Sequence, residues 1–370
     1  MNFICEKSVL QNAIATAVRA VPSKSPISTL EGILLTAKEG TLRITGYDLK
    51  KAIYTDIEAD VKEEGKSVVN ARFFGEMIRR LPEGPVSFDC SDENNITVKC
   101  GKSEYNFVGM DADEYPEMPK FNEVNNIEIP QNVLKSMINQ TIFAVSKEEI
   151  RPIYTGSLFE IKENELTLVS IDGYRLARRV EKIEENAKLQ ECSFVVPGFS
   201  LSDIERICED VEDNVIISVG DKHISFSIGS TVIISRRLEG EFINHRKSVP
   251  DNFRYYVEVE RQELISVIDR VALVLSEKNG NPVKMKFFDD NIQCVCTTPI
   301  GKAEDICTCR GSAEELEIGF NDRYVIEALK AADKDNLMLC LNTSSSPCVI
   351  KAADGSESFT YMILPVRLHA

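Results

Sequence analysis

The sequence predicts an α+β fold built from three tandem copies of one module, each with two helices against an antiparallel sheet. Three observations predict it: an amphipathic helix recurring at domain-sized intervals, a second helix roughly sixty residues into each interval, and alternating strand-like runs between and after them.

The first helix of each copy is marked by apolar residues four apart: Leu10, Ile14 and Val18; Leu134, Ile138 and Ile142; Leu264, Ile268 and Ala272. That spacing stacks side chains on one helical face. The second helix begins after a polar residue able to accept from free amides, with Asn70, Ser200 or Ser202, and Asn321 as candidate caps. Behind the caps run Phe74, Met77, Ile78 and Leu81; Leu201, Ile204 and Cys208; and Val325, Ala328, Leu329 and Ala332.

Period-two alternation predicts strands over 32–35, 41–45 and 52–57 in the first copy, 157–161, 166–171 and 176–180 in the second, and 283–288, 291–297 and 303–309 in the third. Gly40, Asp89 to Asn95, Gly220-Asp221, Asp289-Asp290 and Asp354-Gly355 supply the reversing turns. Boundaries near Asn126 and Pro250 give modules 1–126, 127–250 and 251–370, with 121–126 and 248–254 read as linkers. Each module is long enough to bury its own core and too long for one turn of a solenoid.

With 43% hydrophobic and 28% charged residues, the composition is that of a soluble globular protein. No apolar run approaches bilayer length, and Met1 to Val9 carries Glu6 without a signal-peptide core, so a cytoplasmic protein with no membrane partner is expected. Eleven cysteines sit singly in apolar or strand-like segments, which favours free buried thiols. The net charge of −16 opposes tight phosphate binding. Its distribution differs, because the windows Lys7 to Ala20, Arg72 to Arg80 and Gln131 to Lys147 are each net positive. Two readings stay open: chance placement of charge on solvated faces, or a helix-lined surface that tolerates DNA inside an acidic shell.

The sequence offers no convincing catalytic centre, and no cofactor or metal is expected. His223, His245 and His369 stand in no zinc-ligand or nucleophile-base spacing and read as surface or strand residues. There is no phosphate-cradling glycine loop. Cys294 and Cys296 with Cys307 and Cys309 have enough thiols for zinc, but one intervening residue also puts two side chains on the same sheet face for packing. Acidic pairs such as Asp89 and Asp92, Asp289 and Asp290, and Glu304 and Asp305 are accounted for by hairpin chemistry, although turn carboxylates holding a hard metal would make a hydrolase. A repeat-built adaptor without a DNA role is a further alternative.

At Ile171-Asp172-Gly173-Tyr174-Arg175-Leu176-Ala177 the chain closely resembles the bacterial DNA polymerase sliding clamps, the beta subunits of the replicative polymerase. Thr45-Gly46-Tyr47-Asp48-Leu49, Leu81-Pro82-Glu83-Gly84, Leu238-Glu239-Gly240-Glu241-Phe242, Glu317-Ile318-Gly319-Phe320-Asn321 and Leu364-Pro365-Val366-Arg367-Leu368 extend the resemblance, in the family's order, over essentially the full length.

The resemblance implies three clamp domains per chain and a head-to-tail homodimer closing into a ring. Double-stranded DNA would thread it without base readout. The function implied is that of a non-catalytic processivity factor. By position, Lys24 matches a family residue that touches DNA, Lys147 and Glu148 fall on a DNA-facing loop, and Arg72, Arg79, Arg80 and Lys135 are further candidates. Glu148 departs from the pattern, since a carboxylate repels phosphate.

A pocket for short motifs of the polymerase catalytic subunit, clamp loader and repair proteins would map to Tyr154, Ile171, Gly173, Tyr174, Arg175, Leu176, Ile243, Lys247, Ser248, Met362 and Leu364. Arg151, Asn321, Tyr324, Pro365, Val366 and Arg367 would neighbour it. The family often has Pro and Tyr where this chain has Ile243 and His245, and the chain runs past Leu368 by His369 and Ala370. Without the family, Tyr361 to Leu368 reads as a last strand closing a sheet. The ring joint would set Phe73, Met77, Tyr105 and Phe107 of the first module against Val274, Leu275, Glu304 and Asp305 of the third.

Overall fold

The computed structural model describes residues 1–119, 125–183, 191–275, 282–314 and 316–368. Residues 121–124 of the expected first linker, together with His369 and Ala370, lie outside the described residues.

The chain forms two compact units, Met1–Leu134 with Asp203–Arg237, and Lys135–Ser202 with Leu238–Ala370. Residues expected as the middle module contribute to both. Seven α-helices occur among the described residues: α1 (Lys7–Ala17), α2 (Ala71–Arg80), α3 (Gln131–Asn139), α4 (Gly198–Ile207), α5 (His245–Ser248), α6 (Arg261–Ala272) and α7 (Asp322–Ala331). All nine expected strands form, several running further than the alternation marks.

The first unit holds two antiparallel sheets. The smaller runs Asp60–Glu63, Asn2–Glu6, Pro85–Cys90, Asn95–Cys100 and Ser103–Val108 in spatial order. The larger runs Asn125–Pro130, Asn214–Val219, His223–Ile228, Thr231–Arg236, Lys51–Glu58, Thr41–Tyr47, Gly32–Lys38 and Gly65–Asn70. At its centre Ile233 pairs with Ile53, and the Thr55 and Thr231 hydroxyls meet at 2.9 Å. This pairing joins the last strand of the second expected module to the third long strand of the first.

The second unit carries one twelve-stranded antiparallel sheet. Its order is Cys192–Pro197, Gly156–Lys162, Glu165–Ile171, Arg175–Lys182, Phe359–Ile363, Cys348–Ala352, Asn336–Leu341, Tyr255–Glu260, Gly301–Arg310, Asn291–Thr298, Val283–Phe288 and Glu317–Phe320. Leu176 pairs with Met362 and Ala177 with Tyr361. The same rule therefore operates again: the last strand of the third module lies on the third long strand of the second.

Helical periodicity works as expected. Leu10, Ala13, Ile14 and Ala17 of α1 and Phe74, Met77 and Ile78 of α2 bury into one core with Phe3 and Phe88. Phe88 stacks on Phe3 at 4.9 Å and meets Phe74 edge-on at 6.1 Å, both favoured aromatic geometries. In the second unit Leu264 and Ile268 of α6 face Val325 and Leu329 of α7 in a core with Phe287, Phe320, Phe359 and Tyr361. Cys294, Cys296, Cys307 and Cys309 are buried there as apolar side chains. Burial pushes the Cys294 and Cys307 thiols up to about 12, the wrong direction for a metal-binding thiolate. Among the described residues no group of three or more potential ligands is placed to hold a metal.

Caps follow expectation at two helices, where Asn70 Oδ1 accepts from Phe73 N at 2.9 Å and Asn321 Oδ1 from Tyr324 N at 3.3 Å. They fail at the third. Helix α4 starts at Gly198 directly after Pro197, so Ser200 is buried within its first turn and the Ser202 hydroxyl donates back to the Gly198 carbonyl at 3.0 Å. Asp89 lies inside the Pro85–Cys90 strand rather than in the turn after it. The expected linker 248–254 is likewise packed, with Val249 buried and Phe253 set against the neighbouring core.

His245 is neither a surface nor a strand residue. It opens α5, which Asn244 caps by accepting from Lys247 N at 3.2 Å, and only 3% of it is exposed. Its Nε2 lies 3.4 Å from Glu160 Oε2, the oxygen that also accepts from Arg246 at 2.8 Å. Burial dominates and lowers the imidazole's pKa from the ordinary 6.5; Glu160 opposes this, while Arg178 and Arg246 add to it.

Gly46, inside Thr41–Tyr47, lets the strand approach the end of α1, because a Cβ there would land on the Ala17 carbonyl oxygen. Backbone cannot yield as a side chain can. Gly46→Ala is expected to cost about 1–3 kcal/mol by overpacking, read as a lower midpoint in chemical denaturation. For His245, a depressed native pKa means that its neutral form contributes stability above the unfolded value, lost as pH falls through the folded one. An NMR titration should place the His245 midpoint, assigned as the resonance absent in His245→Asn, below 6.5; a His245 midpoint at or above 6.5 contradicts the burial argument.

Candidate functional sites

Asp172 builds the first site by closing a tight turn. Its Oδ1 accepts from Tyr174 N at 2.9 Å and Arg175 N at 3.0 Å, while Gly173 takes φ 95°, a conformation glycine adopts without penalty. The turn drives the Arg175 side chain inward, where it is 6% exposed. Arg175 Nε donates to Asp172 Oδ2 at 3.0 Å, Nη2 donates to the Phe143 carbonyl at 2.6 Å, and Nη1 donates to Glu327 of α7. Its guanidinium lies 4.4 Å from the centre of the Tyr324 ring, which stacks with Tyr174 at 6.2 Å. Tyr174 is 62% exposed, so the buried arginine forms a floor under an accessible aromatic pair.

Apolar residues continue this surface. Ile171, Leu176 and Met362 are buried with Leu158, Val195 and Val349, and Tyr154 packs edge-on against Phe242 at 5.5 Å. Arg151 approaches the Tyr154 ring at 5.9 Å. Ile243 and Leu364 are exposed, and Leu364 N donates to the Tyr174 carbonyl at 2.8 Å. The expected last strand stops at Ile363; beyond it Val366 N donates to Gly319 O at 2.8 Å, and Pro365 is half-buried. Lys247 and Arg367 are exposed, the Ser248 hydroxyl is tied to Asn244 O, and the Asn321 oxygen is engaged in capping α7.

The second set comprises the basic candidates. A groove of about 1020 Å³ runs between α1 and α2, lined by Ile14, Val18, Arg72, Gly75, Arg79 and Arg80 among others. Arg79 and Arg80 both reach Glu76, at 2.7 and 3.4 Å, so one carboxylate offsets part of their charge. Lys24, Arg72 and Lys147 are exposed, Lys135 is half-buried, and Glu148 turns its backbone N–H onto the Ser146 hydroxyl.

The third set lies at open strand edges. Among the described residues Ser103–Val108 is paired only with Asn95–Cys100, and in Gly301–Arg310 only Cys309 and Arg310 pair with Tyr255–Glu260. Beside the first edge Phe73 is 47%, Tyr105 38% and Val108 70% exposed, with Phe107 edge-on to Phe73. Beside the second, Leu273 is 82%, Ile300 77% and Ile306 55% exposed. Val274 and Leu275 are half-buried against their own core; Glu304 bonds Gln293 and Lys302, and Asp305 bonds Arg270 at 2.6 Å. Met77 does not belong to this surface. At 4% exposure it is core, because its helical face is the one shared with Phe74 and Ile78.

Sequence reading passed over Glu327, Leu273, Ile300, Ile306 and Val108. Alternation marks Ile306 as facing away from buried Cys307, and apolar Leu273 and Ile300 end a helix and a turn, so some signal was present. For Glu327 the signal was its spacing of three from Tyr324, which puts both on one helical face.

Comparison with known proteins completes the description. Family models for the DNA polymerase III beta subunit match residues 1–119 (N-terminal domain), 128–244 (central domain) and 246–367 (C-terminal domain). Beta sliding clamps of Halalkalibacterium halodurans and Bacillus subtilis are each 31% identical to the chain, with all of both chains covered. A crystal structure of the Bacillus subtilis DNA polymerase sliding clamp superposes with a TM-score of 0.96 at 30% identity, covering all of both chains. One of a putative DNA polymerase III beta subunit from Eubacterium rectale gives 0.94 at 30% identity over 99% of each. No helix among the described residues is long and apolar enough to cross a membrane. The threefold architecture, the matched domains and the full-length relatives together place this chain in the bacterial DNA polymerase III beta subunit family, the beta sliding clamps.

Proposed function

We propose that two copies of this chain close head to tail into a ring around duplex DNA and present the tyrosine-bearing surface to short peptide segments of replication and repair proteins. Family membership makes the chain a non-catalytic processivity factor of the DNA polymerase. One observation carries the ring. Within the chain, the last strand of a module twice pairs with the third long strand of the preceding module, Thr231–Arg236 on Lys51–Glu58 and Phe359–Ile363 on Arg175–Lys182.

The strands left over are Ser103–Val108, the last of the first module, and Gly301–Arg310, the third long strand of the last. One further use of the rule joins them between copies, heterologously and in both directions, which closes the assembly. Exposed edges are otherwise an aggregation liability. In this reading the modules are 1–126, 127–250 and 251–370, and the joint sets Phe73, Tyr105, Phe107 and Val108 against Leu273, Val274, Leu275, Ile300 and Ile306, with Glu304 and Asp305 at its edge.

Enclosure also suits the charge. Lys24, Arg72, Lys135 and Lys147, with Arg79 and Arg80 moderated by Glu76, offer weak contacts that do not read sequence. Weak contacts are sufficient when escape sideways is blocked, and they leave the ring free to slide. The peptide site comprises Arg151, Tyr154, Ile171, Gly173, Tyr174, Arg175, Leu176, Ile243, Lys247, Ser248, Asn321, Tyr324, Met362, Leu364, Pro365, Val366 and Arg367. Its apolar and aromatic members are the usual anchors of peptide affinity.

Loaded protein should stay on nicked circular DNA and be lost once the circle is linearised; equal retention on both forms would contradict enclosure. Leu273→Asp should leave the monomer folded, since the site is exposed, while burying an unpaired charge in the joint. Sedimentation should then give a mass near 41.4 kDa rather than near twice that. A surviving dimer would place the joint elsewhere.

A further inference from the structure

Arg175 is the one buried cation beneath the tyrosine pair, yet its charge is already met. Asp172, 12% exposed in its side chain, accepts from it and from two backbone amides, and Glu327 takes Nη1. Two carboxylates against one guanidinium leave this cluster with an excess negative charge. Asp172 is fully engaged and enclosed. Glu327 is not, because its side chain is 43% exposed and it lies three residues from Tyr324, on the face of α7 that borders the aromatic surface.

The corresponding pair in the first unit behaves differently. There Asp48 closes the same turn, accepting from Lys50 N at 2.8 Å and Lys51 N at 2.6 Å, and Lys51 reaches Asp203 of α4. Lys51 and Arg175 are separated by the same number of positions as Asp203 and Glu327. Both members of the Lys51–Asp203 pair are enclosed, at 5% and 11% exposure. An ion pair of this kind therefore forms without any carboxylate at the surface, and the exposure of Glu327 is a feature of the peptide site.

We propose that Glu327 is a specificity-determining residue: by cancelling Arg175 and presenting a carboxylate beside Tyr174 and Tyr324, it makes this stretch of the surface accept uncharged peptide residues and reject acidic ones. Acidic residues of a bound segment are then read at exposed cations such as Arg151, Lys247 and Arg367. This rests on the peptide-site reading above.

The test uses the intact protein and a fluorescent decapeptide with leucine and phenylalanine anchors, in which Asp or Asn is scanned through the remaining positions. Affinity is read by fluorescence anisotropy at two salt concentrations. In the wild type at least one position should favour Asn over Asp by about fivefold, the scale of one screened charge contact. Glu327→Gln keeps an acceptor for Arg175 and removes only the charge, so that discrimination and its salt dependence should vanish there while the Asn form binds within about twofold of wild type. Equal weakening of both forms would make Glu327 merely structural, and unchanged discrimination would also overturn the proposal. Leu364→Ala separates the two readings: if it leaves affinity unchanged, the peptide site itself is misplaced; if it weakens binding while Glu327→Gln changes no preference, only the assignment of Glu327 falls.

Discussion

Pairing between strand edges is the constraint on which everything else in this molecule depends. A module of two helices and an antiparallel sheet leaves backbone donors and acceptors open at its margins, and buried backbone groups must find partners. Here they find them in the neighbouring module, through Thr231–Arg236 on Lys51–Glu58 and Phe359–Ile363 on Arg175–Lys182. Because such a bond ladder is directional and register-bound, it fixes the order of modules far more strictly than apolar contact does. A chain built by this rule ends with one edge unused at each end. In the proposed ring, a second copy completes the chain by the same chemistry that made it.

That constraint also positions the proposed peptide site at a junction. The turn that launches Arg175–Lys182 is held by Asp172, so the residues it displays, Tyr174 and Arg175, are positioned by sheet pairing and by a capped loop at once. The residues facing them, Tyr324 and Glu327, come from a helix whose start is set by Asn321. Neither half makes a binding surface alone.

Much of this was legible in the sequence. Four-residue apolar spacing located α1, α3 and α6, and the Asn70 and Asn321 caps were readable because asparagine before an apolar helix has few other uses. Ser200 and Ser202 misled because α4 starts at Gly198, directly after the strand ending at Pro197, so both serines already lie inside the helix. Met77 misled for a different reason: the resemblance put it in the joint, whereas its apolar spacing with Phe74 and Ile78 already marked it for the core of its own module. His245 misled because one polar residue between a loop and a charged pair carries no local mark of burial. The pairing of edges was invisible for a stronger reason, since alternation defines a strand but not its neighbour, and the partners lie far apart in sequence.

The two junctions differ in what surrounds the same structural device, and the proposed peptide site lies at the second. Each has an aspartate-closed turn and a basic side chain running to an acid on the next second helix, Lys51 to Asp203 and Arg175 to Glu327. In sequence, Lys50 stands 124 positions before Tyr174 and Ser200 124 before Tyr324, so the first copy has neither aromatic residue. Lysine's compact ammonium has no planar face to lie against an aromatic ring, so nothing there organises a stacked pair. Arginine can pair through its nitrogens while its Cζ lies 4.4 Å from the centre of the Tyr324 ring, and in the proposed peptide site the exposed Tyr174 faces the ligand. The two junctions thus share an ion pair and differ in arginine for lysine and in two aromatic neighbours, and the second carries the proposed peptide site.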